Sequence, residues 1–278
     1  MNTKDVNSWA KFTTWQYVKP PSRPDKWQLE ICREILLNMS KSINVAVLGS
    51  TIEYRDLLAE LGGINVFVFD KNKNFYNYIT KFTKQNLKET FIEGDWLEAL
   101  KNYIGYFNFI LSDLTSGNIS YDQREIFYQR ITDSMSEGAV FFDRLLTKPI
   151  PFLNLQDLIN KYENLSVSID TVNSFNCEVL FCSTLLENVG QIVDSTSFYD
   201  YLLDLNIPRI NDYVKYCYDI TPRDCIWWYS KPWNIEQQLY NKYFCIQQEY
   251  DEPIKSEYHG RVKLLISSKR YNLHGTTM

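Results

Sequence analysis

The chain has 278 residues, 45% of them apolar, which is enough to build a sizeable core and excludes wholesale disorder. A net charge of -5 and a pI near 5.2 argue against a general nucleic-acid binder, which needs a basic face. The N-terminal "MNTKDVNSWAKF" is polar and has no signal-like apolar stretch. No run approaches the ~18 apolar residues of a membrane span. Six cysteines (Cys32, Cys177, Cys182, Cys217, Cys225, Cys245) form no CxxC pair and only two histidines exist, so no metal site is expected. The cysteines read as reduced core residues of a cytoplasmic protein.

In chain order, residues 1–42 are an N-terminal extension with seven basic and four acidic residues. It contains a stiff "KPPSRP" (19–24) and then a helix over 25–39 that Asp25 is placed to cap. From 43 onward, short apolar runs alternate with amphipathic stretches. Strands are expected at 43–48, 64–69, 89–94, 107–114 and 138–146, with helices at 53–61, 74–86, 96–103 and 121–135 between them. Such alternation predicts a parallel sheet covered on both faces. Residues 147–234 break the rhythm and read as a mainly helical insertion, with helices at 152–162 and 195–205 and one or two short strands around 166–184. A helix and strand at 236–253 and a strand at 261–270 return the chain to the sheet as an antiparallel pair. Residues 271–278 are a flexible tail. The expected organisation is a Rossmann-like domain (43–146 and 235–270), an N-terminal cap, and an insertion forming an acceptor pocket or lid.

In open α/β sheets, ligands bind outside the carboxyl ends of the strands. After the first strand, Gly49 lets backbone approach a ligand. "STIE" has the S-x-x-E form of a capping box, with Ser50 capping and Glu53 reaching back. Asp70 closes the second strand, where a carboxylate can hold a ribose diol, and Lys71 follows it. "GDW" after the third strand offers Asp95 to an adenine amino group and Trp96 as a stacking surface. Asp113 ends the fourth strand, where the reactive end of a ligand would lie.

Acids after strands two, three and four, together with the closing strand pair, resemble class I S-adenosylmethionine-dependent methyltransferases. The likeness covers about 43–144 and the final strands. "LGSTIEYRD" (48–56) resembles the LG-x-T-x-E-x-R-D first motif of a bacterial branch of that family. The resemblance implies a seven-stranded, mostly parallel Rossmann-like sheet and S-adenosyl-L-methionine as cofactor. It assigns Asp70 to the ribose, Asp95 to the adenine, Asp113 to the sulfonium and substrate end, and Gly49 to the methionine, with Ser50, Thr51 and Glu53 completing the loop. The first motif departs from the family's acid-x-glycine-x-glycine: Val47 replaces the acid and Thr51 the second glycine.

Arg55 either holds the methionine carboxylate or pairs with Asp56 or Glu60. Arg144 either reaches the acceptor or braces Asp143 or Asp113. Trp15 and Arg23 of the extension are candidates for the substrate side. The aromatics Trp9, Tyr17, Trp27, Trp227, Trp228, Tyr229 and Trp233 either close the pocket or anchor added helices. Asp113 and His259 are the candidate catalytic groups, although aligned methyl transfer needs a base only for some acceptors. The expected function is methyl transfer to a small molecule, with no nucleic-acid or membrane partner. Two rivals share the same residues: another reaction of the same cofactor, such as intramolecular displacement or lyase chemistry, and a non-catalytic binding protein.

Overall fold

The computed structural model describes residues 15, 18, 20, 22–40, 42–148, 153–182, 192–220, 226–228, 231–253 and 259–271. Its first helix, α1 (Lys26–Leu37), starts at Asp25 in a capping box with Gln28. The Asp25 amide donates to Gln28 Oε1 at 2.9 Å, and Gln28 Nε2 reaches Glu252 Oε1 at 2.7 Å, so the cap also ties the extension to the far end of the chain.

Strand β1 (Asn44–Leu48) is followed by α2 (Ile52–Leu61), β2 (Asn65–Asp70), α3 (Lys73–Ile79), β3 (Glu89–Glu93), α4 (Trp96–Ala99), β4 (Phe107–Asp113), α5 (Tyr121–Ser134) and β5 (Met135–Leu146). The insertion carries α6 (Leu155–Glu163), α7 (Ile169–Cys177), β6 (Ile192–Asp194), α8 (Ser195–Asp204), α9 (Pro208–Ile220) and β7 (Ile226–Trp228). Helix α10 (Trp233–Tyr243) then leads to β8 (Phe244–Asp251) and β9 (Val262–Lys269). Within the segment around 166–184, expected to hold strands, residues 169–182 are helical through α7 and the π turn that extends it; the described short strands lie later and pair with each other as β6 and β7. Helix α9 was not anticipated.

The main sheet has seven strands in the order β3-β2-β1-β4-β5-β9-β8. β1 to β5 are parallel, and β9 lies antiparallel between β5 and β8. Central strands buried on both faces need apolar residues on both, and β1 supplies them: Ala46 and Leu48 pack on one side, Val45 and Val47 on the other. The insertion has its own core, with Leu158, Tyr162, Phe175, Leu202 and Tyr213 fully or almost fully buried. Cys32, Cys177, Cys217 and Cys245 are free thiols, the first three buried. No described helix is long and apolar enough to cross a membrane.

Removing the cap of α1 leaves the amides of its first turn unpaired. Asp25→Ala is expected to lower stability by about 1 kcal/mol in urea unfolding. An unchanged midpoint would show that the capping box adds nothing.

Candidate functional site

The strand order reverses between β1 and β4, so the crevice at their carboxyl ends is the topological switch point. Gly49 opens it at φ +91°, a conformation other residues rarely adopt; a Cβ there would stand 3.9 Å from Cζ2 of Trp96. The Gly49 amide and the Trp96 indole both donate to the Phe69 carbonyl, each at 2.8 Å. The loop after β1, the end of β2 and α4 are thus held together at one backbone oxygen.

Asp70 is buried at the end of β2. Its Oδ2 accepts from Ser50 Oγ at 2.5 Å and its Oδ1 from the Asn72 amide at 2.9 Å. Burial raises its pKa, and the Ser50 hydroxyl, the Asn72 amide and the charge of Lys71 partly offset this. Each carboxylate oxygen keeps a lone-pair direction for a ligand. Asp95 caps α4 by accepting from the Leu97 amide at 2.9 Å, and stays half-buried on the same rim. Trp96 is half-buried against Phe127.

The expected capping box at α2 does not form. Thr51, not Ser50, is the N-cap residue and makes no side-chain cap bond. The buried carboxylate of Asp70 offers the Ser50 hydroxyl a stronger acceptor position, and charge-assisted bonds outweigh neutral ones. Thr51 Oγ1 instead donates to Asp113 Oδ2 at 3.3 Å.

Arg55 is also corrected. It is fully buried and pairs with neither Asp56 nor Glu60. Its Nε and Nη2 grip Glu89, with Nη2 at 2.5 Å from Oε1, and Nη2 also donates to Thr80 Oγ1 at 2.7 Å. Tyr76 lies under the guanidinium at 4.6 Å and adds its own hydroxyl to Glu89. Nη1 donates to the Ser50 carbonyl at 3.3 Å. Asp56 accepts from the Lys84 and Gln85 amides, and Glu60 pairs with Arg33.

Of the two alternatives for Arg144, the structure shows the brace to Asp113. It is buried, bonded to Asp113 Oδ1, and 3.9 Å from Glu252. With one oxygen on Arg144 and the other on Thr51, Asp113 is a brace between β1, β4 and β5 rather than a free proton acceptor; burial still raises its pKa against the pull of Arg144. His259 is exposed in the turn before β9, its Nδ1 2.6 Å from the Glu252 carbonyl oxygen. Among the described residues no hydrogen bond joins it to Asp113.

Trp15 is buried beside Ile52 of α2 and edge-on to Phe75 of α3 at 6.4 Å, so it anchors the extension on the helices flanking the crevice. Arg23 Nη1 lies 3.3 Å from Glu53 Oε1. Trp27 packs on Tyr250 and Trp233 on Tyr240, as core anchors. Trp9, Tyr17 and Tyr229, and the side chains of Trp227 and Trp228, lie outside the described residues.

Glu89 and Asn72 were missed from sequence. Asn72, two residues past an acid and before a helical pattern, had the signature of a helix cap; Glu89 had no signal beyond its place at a strand start. A second buried carboxylate, Asp143, lies on the opposite face of β5 from Arg144. Burial pushes its pKa up to about 7, offset in part by Ser112 and Arg124 and reinforced by Asp113 and Glu236.

No known family's sequence pattern matches the chain, and no curated protein matches it by sequence. Solved structures do match in fold. A Rhodobacter sphaeroides protein, provisionally described as a Zn-dependent alcohol dehydrogenase, aligns with a TM-score of 0.58 at 13% identity, covering 98% of this chain and 100% of its own. The N-methyltransferase NodS from Bradyrhizobium japonicum, in complex with S-adenosyl-L-homocysteine, aligns at 0.51 and 8% identity over 95% and 96%. A Methanosarcina mazei S-adenosylmethionine-dependent methyltransferase aligns at 0.50 and 11% over 85% and 96%. The chain therefore has the Rossmann-like fold of these methyltransferases. The antiparallel β9 between β5 and β8 distinguishes its sheet from the six-stranded dinucleotide-binding order.

Two outcomes follow from these buried groups. Breaking the Arg55–Glu89 pair with Arg55→Met leaves a buried charge unpaired and is expected to cost about 3–5 kcal/mol in urea unfolding, with Arg55→Met/Glu89→Met recovering much of it. Asp143 has a raised folded-state pKa, so between about pH 4 and about pH 7 the folded chain holds a proton that the unfolded chain has released. Its contribution to stability therefore falls as pH rises through that window. Asp143→Asn is expected to flatten this part of the stability profile; an identical slope would mean Asp143 ionises normally.

Proposed function

We propose that the chain is an S-adenosyl-L-methionine-dependent methyltransferase acting on a small-molecule acceptor. The observation that carries this reading is Asp70: a buried carboxylate at the switch-point crevice, oriented by Ser50 and Asn72, with lone pairs left for a ribose diol. Gly49 fits the same ligand, because its positive φ and lack of a Cβ keep the backbone open beside Trp96. Asp95 holds the adenine amino group and Trp96 lies against the ring, while Lys71 borders the ribose.

The cofactor supplies a methyl group already activated on a sulfonium. The chain's task is then to bind, align and exclude water. Asp113, fixed by Thr51 and Arg144, sets the ends of β1, β4 and β5 so that the acceptor is held in line at near-attack distance. No dedicated base is assigned: Asp113 is engaged and His259 is exposed. A deprotonated or intrinsically nucleophilic acceptor suits such a site. The insertion and the N-terminal extension enclose the acceptor side. NodS, with S-adenosyl-L-homocysteine bound and an N-methyltransferase by description, supports the cofactor by fold.

Titration calorimetry is expected to show binding of both S-adenosylmethionine and S-adenosylhomocysteine, and Asp70→Ala to weaken both by more than about tenfold, since a hydrogen bond to a charged group is worth about 1.5–3 kcal/mol. Wild-type protein that bound neither would sink the reading. Turnover of labelled S-adenosylmethionine without any acceptor would replace methyl transfer by an intramolecular reaction.

A further inference from the structure

Val47 occupies the place of the acid in the resembled first motif, and it is fully buried in the core below the crevice. A ligand bearing an α-amino acid finds no carboxylate there. In the first turn of α2, however, stands a carboxylate with spare capacity. Glu53 is largely buried; its Oε1 faces Arg23 Nη1 at 3.3 Å, while its Oε2 is buried and accepts no hydrogen bond from the protein. Buried polar atoms are nearly always satisfied, so an open carboxylate oxygen beside a ligand crevice marks a place for a donor.

The charges facing Glu53 locate it. Arg23 of the extension pairs with it directly, and Asp113 at the end of β4 and Arg144 of β5 are the other charges that act on it; Asp113 is also bonded to Thr51, the N-cap of the same helix. Arg23 is delivered from outside the sheet. Its segment is anchored by Trp15 against Ile52 and Phe75, so the guanidinium arrives over the start of α2. Its side chain is 28% exposed, and its ion pair to Glu53 uses part of a five-donor fork.

We propose that Glu53 and Arg23 clamp the zwitterionic α-amino acid end of the ligand, Oε2 of Glu53 accepting from its ammonium and the Arg23 guanidinium binding its carboxylate. The proposal rests on the reading of the crevice as an S-adenosylmethionine site. Ammonium and carboxylate lie on one carbon of an α-amino acid, and the clamp presents the two complementary charges side by side. Pair and ligand are each neutral as a unit, so closing one on the other buries no net charge. The clamp transfers the task of the missing acid from the strand to the first helix, and assigns the extension a share of the site.

The test uses two ligands with the same adenosine: S-adenosylhomocysteine, which has the amino acid end, and 5′-methylthioadenosine, which lacks it. In calorimetry on the full chain, Glu53→Gln and Arg23→Met are each expected to weaken S-adenosylhomocysteine by about tenfold or more, as loss of a charge-assisted bond does, and to leave 5′-methylthioadenosine within about twofold. Asp70→Ala weakens both ligands. Burial raises the Glu53 carboxyl to about 7, against the pull of its own amide and of Arg23. Wild-type affinity for S-adenosylhomocysteine should accordingly rise as pH passes upward through that value, and Glu53→Gln should flatten the rise. If both ligands bind and Glu53→Gln changes neither, or weakens both alike, the clamp is wrong while the site stands. If the wild type binds neither ligand, the site reading falls and the clamp with it.

Discussion

The loop after β1 depends on a buried ion pair set behind it. Glu89 at the start of β3 holds Arg55 of α2, and Arg55 in turn holds the carbonyl of Ser50. With its backbone fixed from behind, Ser50 turns its hydroxyl onto Asp70. A buried pair of this kind is weak evidence for stability, because desolvation offsets much of the Coulomb gain. Its value lies in geometry. Arginine presents a rigid fork, and here separate arms of that fork address Glu89, Thr80 and the Ser50 carbonyl. The loop after β1 is therefore positioned by an element two strands away.

A second polar layer does the same for the other side of the crevice. Asp113 and Arg144 are register neighbours on β4 and β5, and they share the face that Glu252 and Gln28 reach from the chain's two ends. On the opposite face, Arg124 and Glu236 form another buried pair at 2.6 Å, joining α5 to α10 across the point where the insertion returns. The carboxyl edge of the sheet thus carries buried ion pairs on both faces, while β1 at its centre is lined by apolar residues on both sides. Polar side chains collect where the backbone stops pairing and where ligands bind.

The fold was largely legible because its signal is periodic. Five strand runs fell within a few residues of the observed bounds, and the closing antiparallel pair was visible in the tail; of the helices between them, the one expected over 74–86 ends early, at Ile79 with a 3-10 turn to Phe82. The insertion was read less well, since short apolar runs around 166–184 do not separate strand from buried helix, and Phe175 and Val179 turned out to lie in a helical core. The polar residues at the strand ends could be located from their position after each apolar run. Their partners could not: Asp56 and Glu60 are the nearest acids to Arg55 along the chain, but at spacings of one and five neither shares its helix face. The winner, Glu89, is distant in sequence and becomes a neighbour only because β3 pairs with β2. The Ser50 cap failed for a related reason: its hydroxyl is turned as a donor onto a tertiary acceptor, Asp70, and away from the local helix amides it would have accepted from.

The same logic explains how the loop does without a second glycine. A glycine-rich turn is needed where successive residues must take positive φ or let a ligand approach backbone from several sides. Here only Gly49 does so; Thr51 has an ordinary φ of -54°. A side chain at that position is therefore unstrained, and its hydroxyl is put to use on Asp113. Replacing the family's glycine by threonine exchanges backbone openness for a bond that locks β1 to β4. Replacing the acid by Val47 removes a buried charge from the centre of the sheet, where it would meet Val45 and Phe109 instead of water. The two departures are consistent with each other: the polar side chains stand at the start of α2, on Thr51 and Glu53, and the strand below remains apolar.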